Sequence, residues 1–189
     1  EHLKKNMDDN IELFLNIKKN QILFYNNELE LVLKNFEKIL TESHTDLMLY
    51  NDIAEIISIL QIFKSYPKEY QWFTKSQFKI MQNKKIEAIS IIENNDSNGS
   101  QLLIDLKNYY YAYLLFLNDN IYQALEILTK IKGNTIFSEL AIIFIAEIYD
   151  YSIKDQNLAV EQYIKLLELF PDSIFYEQVR LRLRKIVNS

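Results

Sequence analysis

Apolar side chains recur at helical spacing along almost the whole chain. In the segment 29–40, Val32, Phe36 and Leu40 follow one another at intervals of four residues, which places them on one face of an α-helix. Strict alternation of apolar and polar residues, which would indicate β-strands, does not appear. The pattern predicts an all-α protein of about ten helices joined by short turns.

The ends of the predicted helices are set by turn residues. Pro67 suits the first turn of a helix, where its missing N–H group leaves no hydrogen bond unmade. The polar segment 94–100 is predicted to be an exposed loop. The predicted helices cover residues 8–25, 29–40, 47–63, 67–82, 85–94, 101–117, 121–131, 135–151, 156–170 and 173–187.

Composition supports the all-α prediction and argues against two classes of function, nucleic-acid binding and membrane spanning. The chain has two Gly and two Pro, where average usage would give about 13 and about 9, so it lacks the turn residues of most β and α/β folds. The net charge is −5 and no long basic run occurs, which disfavours nucleic acid as a partner. The most apolar stretch, Leu140–Ala146, is too short to span a membrane.

Residues that could carry catalysis are scarce. His2 and His44 are the two histidines and cysteine is absent, so neither a metal site nor a bound cofactor is expected. Gly99 and Gly133 stand alone and form no phosphate-binding loop. Acidic pairs are most simply explained as helix-surface charges. The sequence therefore predicts that the protein is not an enzyme.

A repeat is visible in the second helix of successive hairpins. Alanines recur at intervals of 36 and 35 residues, at Ala88, Ala124 and Ala159. A large apolar residue stands four positions after each: Ile92, Leu128 and Tyr163. Small residues also precede the last two alanines, at Ala112 and Ala146, whereas Ser76 fits this pattern poorly. Small residues let two helices approach closely.

These residues resemble the tetratricopeptide repeat, best in the last hairpin through Ala146, Tyr149, Ala159, Tyr163 and Pro171. The resemblance implies a right-handed α-solenoid of four to five hairpins. It covers about residues 66–187. We therefore predict one helical-repeat domain, 1–189, in which 1–65 are irregular N-terminal helices and 66–189 are repeats.

The segment from Tyr163 to Ser173 resembles a narrower group of repeat proteins. It is similar to repeats of bacterial envelope proteins, namely outer-membrane assembly lipoproteins and the periplasmic coordinator of the Tol system. This resemblance favours a periplasmic or envelope-associated location over a cytoplasmic one. The chain starts at Glu1 instead of a Met, which indicates a processed or shortened chain.

The resemblance also implies which side chains face a concave groove, taking Ala112 as the packing position of its helix. The residues predicted to bind a partner there are Tyr70, Phe73, Gln77, Tyr109, Tyr113, Phe116, Glu147, Asp150 and Arg182. In the simpler alternative, the tyrosines of segment 109–113 pack between helices and the three arginines near the C-terminus complement a helix dipole. The predicted function is a non-catalytic scaffold that binds a protein or peptide. Self-association, or a spacer role within a larger protein, is the alternative.

Overall fold

The computed structural model describes residues 2–42, 47–95, 99–132 and 135–187. Within these ranges the chain forms ten α-helices and no β-strand, which confirms the all-α prediction. His44, Gly133 and residues 96–98 of the predicted loop lie outside the described residues. The helices are α1 (His2–Tyr25), α2 (Leu29–Glu42), α3 (Leu47–Ile62), α4 (Pro67–Met81), α5 (Lys85–Glu93), α6 (Gln101–Leu117), α7 (Ile121–Leu128), α8 (Ile136–Glu147), α9 (Gln156–Leu169) and α10 (Tyr176–Val187).

Most helix boundaries lie within two residues of the predicted ones. The largest differences are at α1, which begins before residue 8, and at α8, which ends at Glu147 because the chain continues as a π-helical turn, Ile148–Ile153. A 3₁₀ turn, Phe63–Ser65, follows α3. The start of α10 is later than predicted because the N–H of Phe175 donates to the Ser173 hydroxyl in a local turn.

Contacts group the chain into two compact units, residues 1–95 and 96–189. In unit 1, α1 packs against α2 and α4, α2 against α3, and α4 against α5. In unit 2, α6 packs against α7 and α8, α8 against α9, and α9 against α10. The helices α4 and α5 thus belong to unit 1 together with the N-terminal helices. The division into irregular helices 1–65 and repeats 66–189 stays a prediction. That 1–189 form one domain stays a prediction.

Four helical hairpins share one left-handed turn position. Asn27, Asn83, Asp119 and Lys154 have φ values of 64°, 58°, 61° and 63°, and each stands between the two helices of its hairpin. Asn and Asp tolerate this region better than other non-glycine residues. In the first three hairpins the next residue donates its N–H to the carbonyl five residues earlier, as Lys84 does to Lys79, which satisfies the helix end.

In the first three hairpins the turn residue is flanked by two fully buried positions, seven residues before it and five after it. In the first three hairpins these pairs are Asn20 and Val32, Ser76 and Ala88, and Ala112 and Ala124, all 0% exposed. Ser76 therefore occupies the repeat position, although the sequence pattern indicated that it fits this position poorly. In the first hairpin the two helices touch at these buried positions, because Asn20 Nδ2 donates to the carbonyl oxygen of Val32 at 3.3 Å.

The fourth hairpin contains one additional residue before its turn. Ala146 and Ala159 are its buried positions, both 0% exposed, and Ala146 lies eight residues before Lys154 instead of seven. The π-helical turn accommodates the extra residue, since it closes over one residue more than an α-turn. The N–H of Asp155 accordingly donates to the carbonyl of Tyr149, six residues earlier.

Candidate partner-binding surface

The contact between α6 and α8 contains a partly exposed group of aromatic side chains. Tyr109, Tyr113 and Phe116 of α6 each contact the ring of Phe144 on α8, with centroids 6.1, 6.3 and 5.2 Å apart. Tyr113 is 40% exposed and the other three are half-buried. We call these four residues the aromatic patch. Its rings join two successive hairpins of unit 2 and still present ring surface to solvent.

Phe144 was not among the residues predicted to face a groove. The register carried over from α6 selects Glu147 and Ile143 on α8, and Ile143 is buried. A signal for Phe144 was present in the sequence, because Phe137, Phe144 and Tyr151 are spaced by seven residues and so share one helical face. Tyr109 contacts Phe137 as well, with 5.8 Å between ring centroids.

Two of the three predicted groove residues of α4 lie in the interior of unit 1. Tyr70 and Phe73 are 2% and 4% exposed, and both contact the rings of Phe24 and Phe63. Burial raises the pKa of the Tyr70 hydroxyl well above its ordinary value. Gln77 is half-buried, and its amide nitrogen has no hydrogen-bond partner among the described residues. We therefore expect Tyr70 and Phe73 to stabilise unit 1 and not to contact a partner, whereas partner binding by Gln77 stays a prediction.

Asp150 and Arg182, both predicted to face a partner, pair with each other. Arg182 donates through Nε and Nη2 to the two carboxylate oxygens of Asp150, each at 2.6 Å. The Tyr163 hydroxyl donates to the same carboxylate at 3.1 Å, and the guanidinium lies 5.1 Å from the ring centre of Tyr151. This network ties α9 and α10 to the π-helical turn. The positive charge of Arg182 is therefore paired within unit 2.

Glu147 is a half-buried carboxylate on the surface next to the aromatic patch. It follows Phe144 by three residues on α8, so the two side chains are neighbours on one helix surface. Within the described part of the chain, Glu147 makes no hydrogen bond or ion pair. Burial, and secondly the negative charge of Asp150, raise the pKa of Glu147. The hydrogen bonds from Arg182 lower the pKa of Asp150 instead.

These side chains offer binding chemistry: apolar ring surface, a tyrosine hydroxyl and an unpaired carboxylate. The described residues contain no group of three or more His, Cys, Asp or Glu side chains placed to hold a metal ion. No helix in the described ranges is long and apolar enough to cross a membrane. No protein-family model, curated protein or solved structure matches this chain.

Proposed function

We propose that the chain is a non-catalytic interaction scaffold that binds a peptide or protein segment at the aromatic patch. The observation that carries the proposal is the exposure of Tyr113, at 40%, within a group of four rings from two successive hairpins. Tyrosine and phenylalanine rings are effective anchors, because they bury a large apolar area with few rotatable bonds.

The recurring hairpin supports a tetratricopeptide-like scaffold. The left-handed turn position and the two buried positions around it recur in four hairpins, as expected of stacked units with a common packing geometry. In proteins of the family that the sequence resembles, the first helices of successive hairpins line a concave groove. The right-handed solenoid is part of the proposal, and an envelope location rests on the sequence resemblance.

A peptide-display selection tests the proposal with random sequences in place of a named partner. The whole chain is immobilised and a random dodecapeptide library is passed over the wild type, Tyr113→Ala and the control Tyr122→Ala. Tyr122 is a tyrosine on α7 that is 78% exposed and has no part in the patch. We expect enrichment on the wild type and the control and its loss on Tyr113→Ala, with unchanged far-ultraviolet circular dichroism in all three. Absence of enrichment on the wild type, or equal enrichment on all three, would contradict the proposal.

Self-association is a second candidate, favoured by apolar side chains that α1 leaves exposed. Ile11, Phe14, Leu15 and Ile22 are between 51% and 62% exposed, and such a stripe on one helix is typical of a helix–helix interface. Size-exclusion chromatography with light scattering tests it. A dimer that dissociates in Leu15→Glu would support this function, and a monomer at high concentration would exclude it.

A further inference from the structure

The charge balance of unit 2 around the aromatic patch is incomplete. Two carboxylates stand one helical turn apart in the chain, the half-buried Glu147 and the buried Asp150, and the negative charge of Asp150 raises the pKa of Glu147. Arg182 neutralises one of them, because both of its donating nitrogens point to Asp150. Glu147 is left half-buried with no cation from the described residues.

An unpaired carboxylate in such a position is costly for the free protein. Partial burial removes water from its charged form, and only an opposite charge or hydrogen-bond donors restore what is lost. A ligand cation would provide both. It would also lie near the ring of Phe144, three residues before Glu147 on α8, whose face attracts a positive charge.

We propose that the segment bound at the aromatic patch carries a Lys or Arg side chain that pairs with Glu147, beside an apolar side chain that packs on Tyr113 and Phe144. The inference rests on the proposed function and names the chemistry of its partner. The net charge of −5 acts in the same direction, because it attracts a basic segment over longer distances.

The same peptide selection tests for the predicted Lys or Arg through the amino-acid composition of the enriched peptides. The library is passed over the wild type, Glu147→Gln and the control Glu168→Gln, which removes one negative charge from an exposed position of α9. We expect peptides from the wild type and the control to be enriched in Lys or Arg within three positions of an aromatic or aliphatic residue. Peptides from Glu147→Gln should keep the apolar residue and lose the basic one.

A double-mutant cycle then measures the pairing directly. One enriched peptide is synthesised with its Lys and with norleucine in that place, or with citrulline for an Arg, and both are titrated against wild type and Glu147→Gln. On the wild type the neutral peptide should bind about tenfold more weakly, as for a partly desolvated charge pair. On Glu147→Gln the two peptides should differ by less than about twofold.

The outcomes separate the two proposals. Enrichment that depends on Tyr113 but shows acidic or uncharged peptides overturns the cation inference and leaves the scaffold function standing. An equal basic preference on wild type and Glu147→Gln also overturns the inference, because another group then recognises the cation. Absence of enrichment on the wild type overturns both.

Discussion

The two units differ in whether their buried polar groups have hydrogen-bond partners. In unit 1, polar atoms of Asn20, Tyr70, Trp72 and Ser76 are buried without a hydrogen-bond partner among the described residues. In unit 2, the two most buried carboxylates each have two partners. Asp105, 0% exposed, accepts from Gln101 and Thr135, and Asp150 accepts from Arg182 and Tyr163.

The contrast is sharpest at one repeat position. Ser76 in unit 1 and Ala112 in unit 2 hold the same place, seven residues before the turn residue, and both are fully buried. The serine hydroxyl has no partner there among the described residues, whereas the alanine has no polar group to satisfy. The repeat thus buries the side chain at this position whatever its polarity, and the polarity sets the free-energy cost of burial.

The largest expected effect comes from breaking the buried ion pair of unit 2. Arg182→Met leaves the carboxylate of Asp150 buried without its cation. We expect a loss of about 2–3 kcal/mol of unfolding free energy, less than the ~3–5 kcal/mol of a fully buried pair, since the Arg182 side chain is 31% exposed. Urea denaturation at neutral pH measures it. Arg180→Met, which removes an exposed pair with Glu177 on the same helix, is the control and should cost less than about 1 kcal/mol.

The pH dependence of that difference is a further check. Because the pKa of Asp150 is lowered in the folded state, its contribution is complete above the unfolded value of about 4 and is lost as the pH falls through the folded pKa. The wild type and Arg182→Met should therefore differ most above about pH 5 and converge in acid. Glu147, whose pKa is raised, acts in the opposite direction in both proteins and cancels in the comparison. A constant difference down to pH 2 would refute this role of Asp150.

A smaller loss is expected when unit 2 is given the residue of unit 1. Ala112→Ser places a hydroxyl at a fully buried position, and should cost about 1–2 kcal/mol if it finds no acceptor. Circular dichroism during urea denaturation measures the change. Ala54→Ser, the same exchange at a half-buried position of α3, tests whether the cost follows burial of the hydroxyl. Equal stability of Ala112→Ser and wild type would show that the position accepts a polar group freely.

The reverse exchange should stabilise unit 1. Ser76→Ala removes a buried hydroxyl that has no partner among the described residues. The hairpin then has two alanines at its buried positions, as the α6–α7 hairpin does. We expect the unfolding free energy to rise by about 1 kcal/mol. Trp72, the single tryptophan, is 4% exposed on the same helix, so its fluorescence follows unit 1. A destabilised variant would mean that the Ser76 hydroxyl is bound, for example to an internal water.

The smallest effect concerns the turn residue of the fourth hairpin. Lys154 holds φ 63°, which a lysine adopts at a cost, whereas Asn and Asp hold this place elsewhere. Lys154→Gly should raise the unfolding free energy by about 0.5–1 kcal/mol, and Asn83→Gly by less. Thermal unfolding followed by circular dichroism compares the two. An equal effect of the two substitutions would refute the turn-strain explanation.

Much of the fold could be read from periodicity, because a helix depends on contacts between residues three and four positions apart. The start of α4 at Pro67 and both ends of α6 were predicted from this pattern and from local turn residues. The π-helical turn was not predicted, although the extra residue between Ala146 and Ala159 was visible. A single insertion can be absorbed by a loop or by a wider helical turn, and only packing of both alanines decides between them.

The candidate site was predictable in part. The face formed by Tyr109, Tyr113 and Phe116 is one that helical spacing alone brings together, and the structure places all three against Phe144. The sequence could not show that Asp150 and Arg182 satisfy each other, because they are 32 residues apart and meet only when α10 packs on α9. Neither could it show that Glu147 is left without a partner among the described residues.

By itself the sequence determined the all-α class, the places where most helices begin and end, and the spacing of buried small residues within the hairpins. These depend on local backbone preference and on which face of a helix is apolar. The tertiary structure decided which polar groups are satisfied, which rings stay exposed and which charge is unpaired. Those properties depend on groups far apart in the chain, whose distances are settled only when the helices pack.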